Sequence, residues 1–351
     1  LALVRPDGSI CHEFTPRFPS QTSDISYGLT YIEGFDRYQY GYFDSPTPRS
    51  ENGQGRIGIV EDKVNFSIEG GIFTGAFQLT LDVDNPNADI YYTVDDTEPT
   101  IHSTRYSNPI SITTMSAVRA RAIEPGKISG PVSGEYYVFL ASSVQDFNSD
   151  LPLLVIDNFG KGALGDNDAT TPHLFKSSVV GIFSPQLDGR SRLADTPEIL
   201  TRAGAKVRGV SSSTFAKKGY AIEFWDEHNQ DKSLPVLDMP ADSDWVLYAP
   251  YYFDRAMIRN SLIFALSNQT GRYAPRTRFV EVFLNTDGGA LNAGDYIGVY
   301  VLMEKIKRGE ERVAVEKLDT TNNAEPEIAG GYIFKNDWLE SGEIGWYTAM
   351  G

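Results

Sequence analysis

The sequence predicts a multidomain chain in which all-β modules precede a mixed α+β unit. Three observations predict it. A length of 351 residues exceeds the usual domain size of about 100 to 200 residues and argues for two or three folded units. Short β-prone runs separated by turn signals fill residues 1 to about 139. From about residue 147 longer apolar strands appear, together with the clearest helical pattern in the chain.

Composition excludes several function classes. Hydrophobic content of 41% suffices for real cores. A formal net charge of -16 argues against nucleic acid or anionic membrane as a general partner, because phosphate backbones are held by excess Lys and Arg. Any anion site must be local. The lone cysteine, Cys11, allows no intrachain disulfide. His12, His102, His173 and His228 are scattered without ligand spacing. No run of about 18 apolar residues is present, so no membrane span is expected. The chain opens at Leu1 without Met and stops at "GWYTAMG", and it reads as an excerpt of a longer protein.

Residues 1–55 hold the runs "LALVRPDGSICHEF", "SDISYGLTYIEG" and "YQYGYFDSPTPRSENG". Asp7-Gly8 suits a tight hairpin turn, and Pro46 and Pro48 stop the last strand. The order Asp7-Gly8, Ser26-Tyr27-Gly28, Pro46-Thr47-Pro48 and Asn52 resembles the C-terminal part of a lamin-tail-like domain.

Residues 65–139 form a second β-rich unit. Alternation at Phe77, Leu79 and Leu81, then Ile90, Tyr92 and Val94, marks half-buried strands of a small sandwich. The runs "IYYTVDDTEPT", "YSNPI", "AVRARAI" and "SGEYY" resemble a chitobiase/β-hexosaminidase C-terminal module. Asp82, Asp84, Asn87 and Asp89 offer hard oxygen donors but lack the central Gly and late Glu of a calcium loop, so a solvated turn is expected. Asp95 and Asp96 point to opposite faces if they lie on a strand, and are read as shaping a turn. Pro125 and Pro131 bracket "GKISG", and "LASSVQDFNSD" reads as a short polar linker to the last unit.

In residues 147–351, "DLPLLVIDNFG" has the look of a central strand, followed by "VVGIFSP" and "GAKVRGVSS". "YFDRAMIRNSLIFALSNQTG" is helical, with Asp254 as N-cap, an Ile258, Leu262, Leu266 stripe, and Gly271 at the C-terminus. "RFVEVFLN" and "DYIGVYVLMEKI" are two strands joined by a Gly- and Asn-rich turn.

One cluster stands out against the acidic background. Arg208, Ser211, Ser212, Ser213, Lys217 and Lys218 fall within eleven residues between two strands, supplying cations, hydroxyls and backbone N–H groups to one concavity. By period two, Lys218 shares a face with Tyr220, Ile222 and Phe224. Glu304 ends a strand apolar on both faces and therefore needs a cationic partner. Two readings stay open: an ion pair with Lys218 that orients a phosphate-binding lysine, or a structural pair with an arginine such as Arg208 or Arg259.

Residues from about 151 to 338 resemble the N-terminal part of the spore coat protein H (CotH) kinase family. The runs that carry the resemblance, in the family's order, are "VRGVSSSTFAKKGYAIEF", "LPVLDMPADSDWVLYAPYYFDRAMIRNSLIFALSNQTGRYAPRTRFVEVFLN", "YIGVYVLMEKIKR" and "GGYIFKNDW". The resemblance implies an α+β atypical kinase-like lobe that takes ATP with Mg²⁺ and phosphorylates Ser or Thr of an acceptor protein. It raises Lys218 and Glu304 as an ATP-orienting pair, with Arg208, Ser211 and Ser212 on the phosphates. It also implies a bacterial protein that is secreted or held at the cell surface. Two residues depart from the pattern: Val210 stands where Asn is common, and Gly219 where Pro or Ser is usual. The family's Mg²⁺-binding aspartates come from a later segment, with Asp337 the last candidate here, so little activity is expected of this stretch alone. The competing reading is a noncatalytic adhesion or carbohydrate-associated scaffold built on a pseudokinase-like unit. Glycoside hydrolysis would need a carboxylate pair flanking a sugar cleft, and no segment presents one.

Overall fold

The computed structural model describes residues 1–32, 37–165, 174–209, 211–329 and 331–334. The protein is mostly β, as the sequence predicts.

At the N-terminus, β1 (Ala2–Val4) pairs with β2 (Ile10–Glu13), and β3 (Ser26–Ile32) with β4 (Arg37–Phe43), both antiparallel. The Asp7-Gly8 turn forms because Gly8 takes φ 85° and the Asp7 carboxylate accepts from the Ser9 amide at 2.9 Å. Asn52 donates to the Leu29 carbonyl at 2.7 Å and accepts from the Thr47 hydroxyl at 2.8 Å, tying the proline-rich stretch back onto β3.

The second module contains β5 (Gly71–Phe73), β6 (Phe77–Leu79), β7 (Asp89–Thr93), β8 (Thr104–Arg105), β9 (Ile110–Ile112), β10 (Ser116–Ile123) and β11 (Ser133–Phe139). Five of them make a sheet in the order β8-β7-β10-β11-β5, while β6 and β9 pair separately. Leu79, Ile110 and Ile112 from the small pair pack on Val118, Ala120 and Tyr137 of the large sheet. Asp89 pairs with Arg105, and Asn85 accepts the Asn87 amide at 3.0 Å while donating to Glu124. Among the described residues no three His, Cys, Asp or Glu side chains gather as metal ligands.

The third region is a closed seven-stranded barrel. Its strands are β12 (Leu153–Asp157), β13 (Lys176–Phe183), β14 (Ile199–Arg208), β15 (Gly219–Phe224), β16 (Asp244–Tyr248), β17 (Thr277–Asn285) and β18 (Tyr296–Glu304), in the order β12-β13-β14-β15-β16-β18-β17. Neighbours are antiparallel except β12 and β17, whose parallel pairing closes the ring. Ile156, Ile182, Ala205, Ile222, Trp245 and Leu302 fill the interior.

The α+β expectation is met only in part. Among the described residues the sheet closes on itself, and it is accompanied by one α-helix, α1 (Arg259–Gln269). The Asp254 carboxylate accepts the Arg259 amide at 2.7 Å, although the N-cap position itself is Ile258. Gly271 follows the C-terminus at φ 77°. The predicted stripe lies the other way round: Ile258, Leu262 and Leu266 are exposed rather than packed.

The short polar linker is packed against its neighbours. Leu140 and Val144 are buried, and Leu140 bridges to Leu291 beside β17. Leu153 and Val155 face the sandwich while Leu154 and Ile156 face the barrel interior, so one apolar cluster joins the sandwich to the outer side of the barrel wall and a second fills the barrel.

Candidate functional site

The cation and hydroxyl cluster falls on the connection between β14 and β15. Arg208 ends β14 opposite Gly219 and is exposed. Gly209 takes φ 94°, in the left-handed region, where a Cβ would meet the Ser212 hydroxyl. Ser211–Thr214 then make one turn of 3₁₀ helix, closed by the Thr214 hydroxyl on the Ser211 carbonyl at 2.8 Å. Ser211 is exposed, Ser212 half-buried and Ser213 fully buried, so the three serines are not equivalent. Val210 lies outside the described residues, as does Asp337.

Lys217 belongs to the predicted cluster, although the ATP-orienting role was expected of Lys218. Its Nζ reaches across the barrel end, donates to the Val299 carbonyl at 2.6 Å and sits 4.4 Å from the centre of the Tyr300 ring. Gly298 at φ 95° makes room: a Cβ there would lie 3.1 Å from that nitrogen. Burial pushes the Lys217 amine below the usual lysine range, and among the described residues no carboxylate pairs with it. The glycine in "YIGVYV" was the available sequence signal. Lys218 is half-buried just before β15, whose Tyr220, Ile222 and Phe224 point into the barrel as alternation predicts.

Glu304 is fully buried, as expected, but its partners are not Lys218, Arg208 or Arg259. Its carboxylate accepts from Arg276 Nη1 at 2.6 Å, from the Arg276 amide at 2.9 Å and from the Tyr273 hydroxyl at 3.2 Å, and it pairs with Arg312. Arg312 also donates to Asp242, which Lys307 bridges to Asp244. Burial, reinforced by the Glu304 charge, pushes the Tyr273 phenol up to about 12.

Strand register explains why the proposed Lys218–Glu304 pair does not form. Glu304 lies opposite Trp245, and Trp245 opposite Ile222, which is four residues along β15 from Lys218. That offset is about 13 Å along the strand, with β16 in between. The structure therefore brings Arg208, Ser211, Ser212 and the two lysines to one rim and leaves Glu304 in a separate ionic network.

A β-rich modular protein whose barrel carries a local cationic, hydroxyl-lined rim is the class that this geometry defines. Residues 205–343 match the family model described as CotH kinase protein, and residues 68–134 match that of the chitobiase/beta-hexosaminidase C-terminal domain. The chain thus carries a CotH kinase region behind a chitobiase/hexosaminidase C-terminal module, as the resemblances indicated. The CotH match begins inside β14, while the barrel that contains it begins at β12. Among curated proteins none matches the chain.

Proposed function

We propose that the chain is part of a CotH-like atypical protein kinase that transfers phosphate from ATP to Ser or Thr of an acceptor protein. The observation that carries this reading is the β14–β15 connection inside the matched region, where Arg208, Ser211, Ser212, Lys217 and Lys218 collect on one rim of an otherwise acidic chain. Guanidinium, ammonium and hydroxyl donors on a tight turn suit the oxygens of a polyphosphate. The described residues fit the phosphate tail. They do not fit its Mg²⁺, since no three acidic, cysteine or imidazole ligands converge among them.

The N-terminal module as the end of a lamin-tail-like domain, and a secreted or surface-held bacterial parent, belong to the same proposal. Both rest on resemblance alone. Among the described residues no helix is long and apolar enough to cross a membrane.

A second reading, a noncatalytic scaffold, is favoured by one observation: Glu304 is committed to Arg276 and Arg312 instead of orienting a lysine. Calorimetric titration of the protein with ATP and Mg²⁺ separates the two. Saturable heat that weakens at least about tenfold in Lys217→Ala and Lys218→Ala supports the phosphate rim. The absence of heat in the parent protein removes it and leaves the scaffold.

A further inference from the structure

The five-stranded sheet of the second module is covered on its outer face around β10 and β11, while its far edge at Arg105 stays exposed. Alternation along β10 sends Val118, Ala120 and Ala122 into the sandwich, while Ala117 and Arg119 point the other way and are equally buried, at 0% and 2% exposure. What covers them is the barrel. Ala117 and Tyr136 pack on Val179 of β13, and burial raises the Tyr136 phenol. At the far end of the contact, Leu291 donates to the Phe139 carbonyl at 2.8 Å and accepts from the Ala141 amide at 2.9 Å.

At the centre of this contact lies a buried charge cluster that draws on both modules. Asp96, from the turn after β7, has a side chain with no exposed surface. Its carboxylate takes Arg202 Nε of β14 at 2.8 and 3.0 Å and the hydroxyl of Ser177 in β13. Arg119 of the sandwich donates to the Asp96 carbonyl at 2.9 Å and to the Glu227 carbonyl across the interface. Arg202 in turn donates to the Asp226 carbonyl at 2.9 Å and lies over the Trp225 ring. Two guanidiniums thus share one carboxylate and the backbone oxygens of a barrel loop. Asp96 holds this position at φ 68°, a left-handed conformation that costs a non-glycine residue strain, and which persists only where surrounding contacts over-determine it.

We propose that this face of the chitobiase/hexosaminidase-like module is an obligate interface for the barrel, latched by Asp96, so that the two fold as one cooperative unit and the module is not an independent binding domain. The physical reason is the location of the counter-charge. Arg202 of the barrel wall takes its carboxylate partner from the other module, so removing Asp96 while the modules stay packed leaves the Arg202 and Arg119 guanidiniums buried together without a counter-charge. Interfaces between autonomous domains are more polar and looser than this one, which merges into a shared apolar core. The inference does not depend on the phosphate rim.

The test is thermal unfolding of the whole chain, read in two places. The sandwich has no tryptophan, and of the four in the chain Trp225 and Trp245 lie in the barrel region, so in a background carrying Trp338→Phe and Trp346→Phe emission reports the barrel. Hydrogen exchange of the β7, β10 and β11 amides reports the sandwich. One coincident transition is expected. Asp96→Ala, a change in the sandwich, should lower the barrel's tryptophan midpoint by on the order of 10 °C and loosen the amides of both modules together. Should that variant fail to fold, Ser177→Ala, which removes a single bond to Asp96, should shift both readouts by a few degrees in parallel. Asp89→Ala, which breaks only the exposed Asp89–Arg105 pair, should leave the tryptophan midpoint unchanged. Two separated transitions in the parent protein, or an Asp96 or Ser177 effect confined to the sandwich amides, would overturn the proposal.

Discussion

At the scale of single residues, burial decides what each ionisable group can do. Glu304 illustrates it: a carboxylate at the end of an all-apolar strand needs positive charge, and that requirement is legible in the sequence. Which positive charge answers is not, because Arg276 and Arg312 arrive from segments 28 and 8 residues away in the chain. Glu304→Ala strands the fully desolvated side of Arg312 and should cost about 3 to 5 kcal/mol in denaturant unfolding. An unchanged midpoint would refute the structural role. Asp157 behaves differently. Its side chain, buried at 0% exposure, is held against Asp287 and Asp295, with Lys161 the nearby cation, and burial pushes its carboxyl up to about 7. The group is therefore more readily protonated in the folded protein than in the unfolded chain, where an Asp titrates near 3.9. Its contribution to stability is complete below about pH 4 and is lost as pH rises through about 7, amounting to at most about 4 kcal/mol. Asp157→Asn keeps an oxygen acceptor for the Phe159 amide and should flatten stability between pH 5 and 8, whereas an unaltered pH slope would rule this group out as its source.

Elements show how far periodicity carries. Strands β12, β14, β15, β17 and β18 coincide with apolar runs that the sequence marks, because a side-chain period of two is a local property. The helix is equally legible in position, with Asp254 and Gly271 near its ends. Its orientation is not, since an apolar stripe specifies that one face avoids water without specifying what meets it. Here Leu262 is 55% exposed and Leu266 47%. Leu262→Gln should accordingly alter the unfolding free energy by no more than about 0.5 kcal/mol, and a loss of several times that amount would mean the stripe is packed in solution. The β14–β15 connection stands between these cases. Its charge and hydroxyl content are plain in the sequence, but the contact of Lys217 with the Val299 carbonyl depends on the Gly298 bend three strands further on.

For the whole molecule, the amino-acid sequence by itself determined the predominance of β strands, the family resemblance of two regions, that a single cysteine forms no intrachain disulfide, and the cluster of cations and hydroxyls between Arg208 and Lys218. These follow from composition, periodicity and local motifs, all of which are read along the chain. Tertiary structure alone decided that the third region closes into a barrel, that the linker packs into an apolar cluster joining sandwich and barrel wall, that Glu304 belongs to an arginine network, and that Asp96 joins two modules through Arg202. Each of those outcomes depends on strand register or on contacts between residues about a hundred positions apart, such as the 106 between Asp96 and Arg202. A sequence states that a buried charge must be matched. Only packing determines which distant charge is within reach.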